Sequence, residues 1–277
     1  MKALAPAEVA EAFRAACLAE LSALKPGNVH VFAAGHGMET VQFEAAAAAA
    51  APAVADATLR VGARVLAAVE ASLAVAGCNT NLGIILLCAP LAVAAERGGP
   101  LKEHLAVVLD GLDLSDAAQT FRAIAAASPG GLGASKEADV RAPASVTLRE
   151  AMALAADRDA IARQYVTGYA DLFALGVPAL AGEPLERRRI EDAYLAFLAT
   201  LPDSHIARKF GPEQAKAVRM EALALRGRLS GLSPGERHDA LLAFDASLKS
   251  RGLNPGTSAD LTVASIFAAL IAVRAEA

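Results

Sequence analysis

Apolar residues recur at intervals of three and four positions through most of the chain, which is the spacing of one face of an α-helix. Val9, Phe13 and Cys17 mark such a face near the start, and Pro26 with Gly27 ends that helix. No alternating pattern typical of strands is present, so the predicted fold class is all-α. The same spacing predicts further helices over about 39–52, 59–73, 84–95, 101–109, 116–127, 147–175, 186–200, 212–229, 236–250 and 258–275.

The weakest pattern lies over 128–146, and the composition does not change after it. We therefore expect 1–277 to form a single compact multi-helix domain with a buried polar pocket, in which this stretch is a loop. The longest uncharged run, 71–95, could span a membrane by length alone, but its polar residues at 79–81 would be unpaired in lipid. We expect two buried helical segments joined by a polar turn, and no membrane partner.

The composition favours helices that pack closely through small side chains. Hydrophobic residues make up 55% of the chain, largely as Ala, and aromatic residues only 4%. The net charge of −4 argues against nucleic-acid binding but not against a local anion site. The N-terminus lacks a signal-like apolar core, and Cys17, Cys78 and Cys88 form no CxxC motif, so we expect a cytoplasmic protein with reduced cysteines.

Two acids fall on predicted inner faces. Glu20 shares the stripe of Phe13, and Glu70 lies four residues after Leu66 and three before Leu73. Because a buried carboxylate without a partner is costly, each should face a cation, a metal ion or hydrogen-bond donors. The simplest alternative to a functional role is a structural pair, such as Glu20 with the nearby lysine at position 25.

Polar segments follow both acids. Lys25 and Gly27 combine a compact cation with exposed backbone N–H groups, a combination suited to phosphate, although such a sequence also ends a helix. Asn79, Thr80 and Asn81 precede a very apolar helix, where they could cap it or bring amides to a ligand at its positive end.

Further polar candidates lie elsewhere in the chain. His36 stands between two glycines near the first acid, and Asp203 is followed by the cations Arg208 and Lys209. Ser258 and Asp260 begin the last helix, where capping and the helix dipole would explain both.

Taken in order, these segments resemble the triphosphoribosyl-dephospho-CoA synthase family. The resemblance extends over nearly the whole chain and is carried by Glu20 with 25–27, 35–38 with Phe43, 79–83, Asp203 with Arg208, and 255–261.

The resemblance implies an all-helical transferase that takes ATP and 3′-dephospho-CoA, releases adenine and joins the triphosphoribosyl group to a ribose hydroxyl. It also implies Mg²⁺ with the triphosphate, nucleotides as the partners and the option of a homodimer. The implied catalytic residues are Glu20, Glu70 and Asp260, with Glu20 and Glu70 as metal ligands. The implied substrate-binding residues are Lys25, Gly27, His36, Asn79, Thr80, Asn81, Arg163, Asp171, Asp203, Arg208, Lys209 and Ser258.

The sequence departs from the family pattern at Asn81 and Leu82, where better-known members carry a His and a basic residue. This variant resembles a subgroup associated with one-carbon carrier cofactors of the methanopterin or methanofuran type, so an enzyme of that biosynthesis is a second hypothesis. A non-catalytic helical protein that binds a nucleotide or a partner is the third.

Overall fold

The computed structural model describes residues 2–33, 40–128 and 139–276, and within them it contains helices and no named strand. The all-α prediction is confirmed. The α-helices are α1 Pro6–Ser22, α2 Thr40–Val54, α3 Val61–Ala76, α4 Leu82–Ala95, α5 Leu101–Asp110, α6 Leu114–Ala127, α7 Leu148–Ala153, α8 Ala160–Thr167, α9 Val177–Ala179, α10 Arg187–Thr200, α11 Ser204–Phe210, α12 Pro212–Leu229, α13 Pro234–Ser250 and α14 Gly256–Glu276.

The predicted continuous helix over 147–175 is wrong, because the chain there breaks into α7, α8 and a π-helical segment at Leu172–Gly176. Asp159 begins α8 by accepting two backbone N–H bonds, and Gly168 ends it in the left-handed conformation at φ 64°. The short helix α11 was not predicted either. It is too short to show a periodic apolar face, so periodicity alone could not identify it.

The main core is built around α14 and α4, whose residues are buried on nearly all sides. Phe13 of α1 meets Phe267 of α14 edge to face, with ring centroids 6.1 Å apart. By length and composition, α14 could also cross a membrane, but most of it is buried here and a core helix passes the same test. The expected buried segments on either side of 79–81 are observed as α3 and α4.

A second apolar cluster joins α10 to α12 and α13. The turn after α1 is held in this cluster because Tyr194 donates a 2.7 Å hydrogen bond to the carbonyl of Pro26. Helices α10 and α14 contribute side chains to both clusters, so the described residues form one compact helical domain. The turn after α1 and the start of α14 lie together where the two clusters meet.

Candidate functional site

A cavity of about 480 Å³ lies against the main core, beside the starts of α4 and α14. Four helices begin at its wall, namely α4, α7, α8 and α14, while α11 lines it through His205, Arg208 and Lys209. Helix N-termini carry partial positive charge and unpaired N–H groups, so their convergence favours an anionic ligand. Side chains from α6 and α7 close the other end with apolar surface.

The predicted polar turn before α4 lines this cavity. Asn79 Oδ1 accepts the N–H of Leu82 at 3.2 Å, which is a capping contact. Asn81 is buried and donates to Ser72 Oγ at 3.0 Å, so its amide supports the turn. The Thr80 hydroxyl is buried and has no hydrogen-bond partner among the described residues. Thr80 therefore has a buried hydroxyl that no described residue engages.

Glu20 lines the cavity and forms an ion pair with Lys25. Lys25 Nζ and Glu20 Oε1 are 2.7 Å apart. The same ammonium donates to Asn28 Oδ1 at 3.1 Å and to the carbonyl of Val29 at 2.5 Å. An ammonium has three N–H donors, and these contacts use all three. Burial raises the pKa of Glu20 and lowers the pKa of Lys25, while their mutual attraction opposes both shifts.

The structure does not place Lys25 for the expected phosphate contact, because the ammonium is fully buried, does not line the cavity and has its donors in use. The structural alternative, a pair between Glu20 and this lysine, is confirmed. Gly27 also lies outside the cavity lining. It is needed for the turn, since its φ is 81° and a Cβ there would press on Leu248.

Two asparagines that were not predicted lie beside this pair. Asn28 Nδ2 donates to Asn254 Oδ1 at 2.8 Å, and both side chains line the cavity. They are separated by 226 positions in the chain. No local pattern could have paired them, although each adjoins a segment that the resemblance had singled out.

Asp260 faces the cavity at the start of α14. Burial raises the pKa of its carboxyl group well above the ordinary value, and the negative charges of Asp203 and Glu20 raise it further. Its carboxylate accepts no hydrogen bond from the described residues. A Cβ at Gly83 would collide with Asp260 Oδ2, so the glycine allows this acid to approach the start of α4. Asp260 is thus the predicted catalytic acid that the structure leaves available.

The cations of the cavity come from α11 and the turn before α8. Arg208 pairs with Asp159 at 2.6 Å, and its Nε is buried without a partner among the described residues. Lys209 and Arg158 are exposed at the cavity wall, and neither forms an ion pair within the described chain. Arg208 and Lys209 were predicted, whereas Arg158 was missed because a lone arginine between helices carries no distinctive pattern.

Asp203 and Ser258 do not line the cavity, and the prediction that they bind substrate disagrees with their contacts. Asp203 Oδ1 accepts the N–H groups of His205 and Ile206, while Oδ2 accepts both the N–H and the hydroxyl of Ser258. The expected capping of the last helix by Ser258 is not observed either. Asp203, which precedes α11, accepts from Ser258 in the first turn of α14 instead.

Glu70, Arg163 and Asp171 also lie outside the cavity. Arg163 Nε and Asp171 Oδ2 are 2.8 Å apart, so these two side chains pair with each other. Glu70 is exposed, and the prediction that it faces inward is wrong. The deeply buried face of α3 is instead made by Arg64, Val65, Ala68, Val69 and Ser72.

The remaining predictions concern His36 and the metal ligands. His36 lies outside the described residues. The structure does not bring Glu20 and Glu70 together as the expected metal pair, because of these two acids only Glu20 lines the cavity. Across 2–33, 40–128 and 139–276, no group of three or more His, Cys, Asp or Glu side chains is placed to hold a metal ion.

Residues 6–277 match the family described as ATP:dephospho-CoA triphosphoribosyl transferase. The chain belongs to this family. It is also similar to a crystal structure from Archaeoglobus fulgidus that is described as a triphosphoribosyl-dephospho-CoA synthase, with a TM-score of 0.66 and 26% identity over 82% of this chain and 97% of that one. A search of curated protein sequences finds no match.

The predicted resemblance and the assignment as a transferase are both confirmed. Within this transferase family, the activity indicated is transfer of a triphosphoribosyl group between ATP and dephospho-CoA. The cavity is where the described chain places donors for an anion beside an available acid, so it is the candidate active site of the transferase.

Proposed function

We propose that this transferase moves the triphosphoribosyl group of ATP to a hydroxyl of 3′-dephospho-CoA and releases adenine at the cavity. The observation that carries the proposal is the placement of Asp260, an acid with a raised pKa, against the start of α4 in a cavity that also holds Arg208 and Lys209. Such a site combines an acid–base group with recognition of an anion.

The triphosphate is the anion that the cationic wall would bind. The first-turn N–H groups of α4 and the Thr80 hydroxyl supply neutral donors, while Arg158, Arg208 and Lys209 supply positive charge. Together these groups would balance more of the triphosphate's negative charge than a single helix N-terminus can. This arrangement replaces the cation that the family pattern places at Asn81 and Leu82.

The transfer breaks the bond between ribose C1′ and adenine N9, and the electron pair leaves with adenine, which takes up a proton. The acceptor hydroxyl oxygen forms the new bond to C1′ and loses its proton. Asp260 would accept that proton, since a raised pKa makes its carboxylate a stronger base. The Glu20 carboxylate at the same wall favours the positive charge that develops on the ribose.

Mg²⁺ fits this donor set as a companion of the triphosphate. Mg²⁺ commonly uses one or two protein carboxylates and completes its shell with phosphate oxygens and water, so a cluster of three acids is not required. Among the acids that line the cavity, Glu20 is the one that would hold it, which leaves Asp260 as the base. When bound, it would neutralise charge on the phosphates.

The direct test incubates the purified protein with ATP, Mg²⁺ and 3′-dephospho-CoA and measures adenine by chromatography and the conjugate by mass spectrometry. We expect adenine and conjugate in equal amounts, and loss of both with EDTA. Adenine formed only with a one-carbon carrier precursor would transfer the assignment to that biosynthesis. No product with either acceptor, together with no nucleotide binding, would favour the non-catalytic hypothesis.

A further inference from the structure

The amides of Asn28 and Asn254 form a neutral wall of the cavity. Both side chains are more than nine-tenths buried, and they are joined by the 2.8 Å bond from Asn28 Nδ2 to Asn254 Oδ1. The amide nitrogen of Asn254 donates to no residue that the structure describes. Because Asn254 lines the cavity, this nitrogen is placed to donate to an acceptor atom of a ligand.

The orientation of both amides follows from Lys25. Its ammonium can only donate, so the Asn28 atom 3.1 Å from it must be the carbonyl oxygen. Asn28 then presents its NH₂ group to Asn254, whose facing atom must in turn be its own carbonyl oxygen. A buried lysine outside the cavity thereby determines that Asn254 offers the ligand an N–H donor beside a carbonyl oxygen with a spare lone pair.

We propose that Asn254 recognises the N6–N7 edge of an adenine base. An asparagine amide pairs with this edge by donating to N7 and accepting from the N6 amino group. Guanine would place its O6 against the carbonyl oxygen of Asn254, where two acceptors repel. The proposal rests on the proposed function, in which both substrates carry adenine, and it names the residue that reads the base.

The two asparagines and the cavity cations come from different elements of the fold. The cavity cations Arg158, Arg208 and Lys209 come from the turn before α8 and from α11. Beside the two asparagines, the nearest ammonium is that of Lys25, and its three donors are already in use. An uncharged ring with alternating donors and acceptors suits such a wall better than a phosphate group does.

The test is a double-mutant cycle that combines one substitution in the protein with one in the ligand. The pair probed is the amide nitrogen of Asn254 and N7 of adenine. Asn254→Asp keeps the oxygen that accepts from Asn28 but replaces the free donor, and 7-deaza-ATP replaces N7 by C–H. Wild-type protein should bind ATP about 5- to 100-fold more tightly than 7-deaza-ATP by calorimetry without acceptor. Asn254→Asp should abolish that preference.

Asn79→Asp is the matched control, because it adds the same charge at another asparagine of the cavity and keeps the oxygen that caps α4. It should weaken both nucleotides and retain the preference for ATP. If Asn254 instead reads the adenine of the acceptor, Asn254→Asp should weaken 3′-dephospho-CoA by the same factor and leave the ATP preference unchanged.

Wild-type protein that binds ATP and 7-deaza-ATP equally, with dephospho-CoA affinity unaffected by Asn254→Asp, would overturn the inference while leaving the transfer reaction intact. If Asn254→Asp does not fold, the wild type alone still tests recognition of the ATP base. Equal affinities of the wild type for ATP and 7-deaza-ATP would overturn it. Absence of any nucleotide binding would instead remove the proposed function, and this inference with it.

Discussion

Asp203 and Ser258 join α11 to α14 through two hydrogen bonds of 2.8 Å to a single carboxylate oxygen. The other oxygen of Asp203 accepts two N–H groups at the start of α11. One buried acid therefore caps two helix N-termini. This contact holds the helix that carries Arg208 against the helix that carries Asp260, and so it supports the cavity from behind.

Asp203→Asn should destabilise the protein much more than Ser258→Ala. The amide nitrogen cannot accept, so two of the four donors lose their acceptor, and we expect a loss of about 2–4 kcal/mol in the free energy of unfolding. Ser258→Ala removes one hydroxyl donor and should cost about 1 kcal/mol with turnover unchanged. Urea denaturation and adenine release measure the two effects. Lost turnover in a stable Ser258→Ala would show that Ser258 does contact substrate.

Glu20→Gln should be strongly destabilising because it leaves the buried Lys25 ammonium without its counter-charge. Removing one partner of a buried ion pair typically costs about 3–5 kcal/mol. Glu20→Leu combined with Lys25→Met should recover part of that loss, although Asn28 and Val29 would then lack a donor. Melting temperatures and urea midpoints of the single and double variants test this. A single variant as stable as wild type would show that the pair is already neutral.

Asp260→Asn should abolish turnover without loss of stability. The amide keeps the size of the carboxyl group but cannot accept the acceptor's proton, so we expect turnover to fall about 10²- to 10⁴-fold. Its fold should persist because the carboxylate makes no hydrogen bond with the described residues. Glu70→Gln is the matched control, an exposed acid expected to change stability by no more than about 0.5 kcal/mol and turnover not at all.

The stability of the wild type relative to Asp260→Asn should fall as pH rises. Because the pKa of Asp260 is raised in the folded state, the folded protein binds more protons than the unfolded chain above the ordinary value of 3.8. The contribution of Asp260 to the free energy of unfolding is therefore fully present below that pH. It is lost progressively as the pH rises towards the raised pKa. Urea midpoints of both proteins across this range measure the difference. Parallel curves would show that Asp260 ionises normally in the fold.

The position of Glu70 shows where helical spacing stops being informative. Its spacing from Leu66 and Leu73 is correct for one stripe of α3, but both leucines are only half-buried. In an alanine-rich helix the larger side chains do not necessarily define the inner face. Packing against α2 and α6 turns the face that carries Arg64, Val65 and Ala68 inward, which a count of apolar positions cannot foresee.

The sequence by itself determined which segments become helices and most of their ends, because helical spacing, Pro, Gly and capping residues act within a few positions of one another. It also singled out Glu20 as an acid on an inner face, whereas Asp260 came from the family resemblance. Only the tertiary structure decided which polar groups meet. Lys25 pairs with Glu20 and donates to Asn28. Asn28 in turn donates to Asn254 from the far end of the chain. Such pairings depend on how helices pack, and that packing is set by contacts between residues far apart in the sequence.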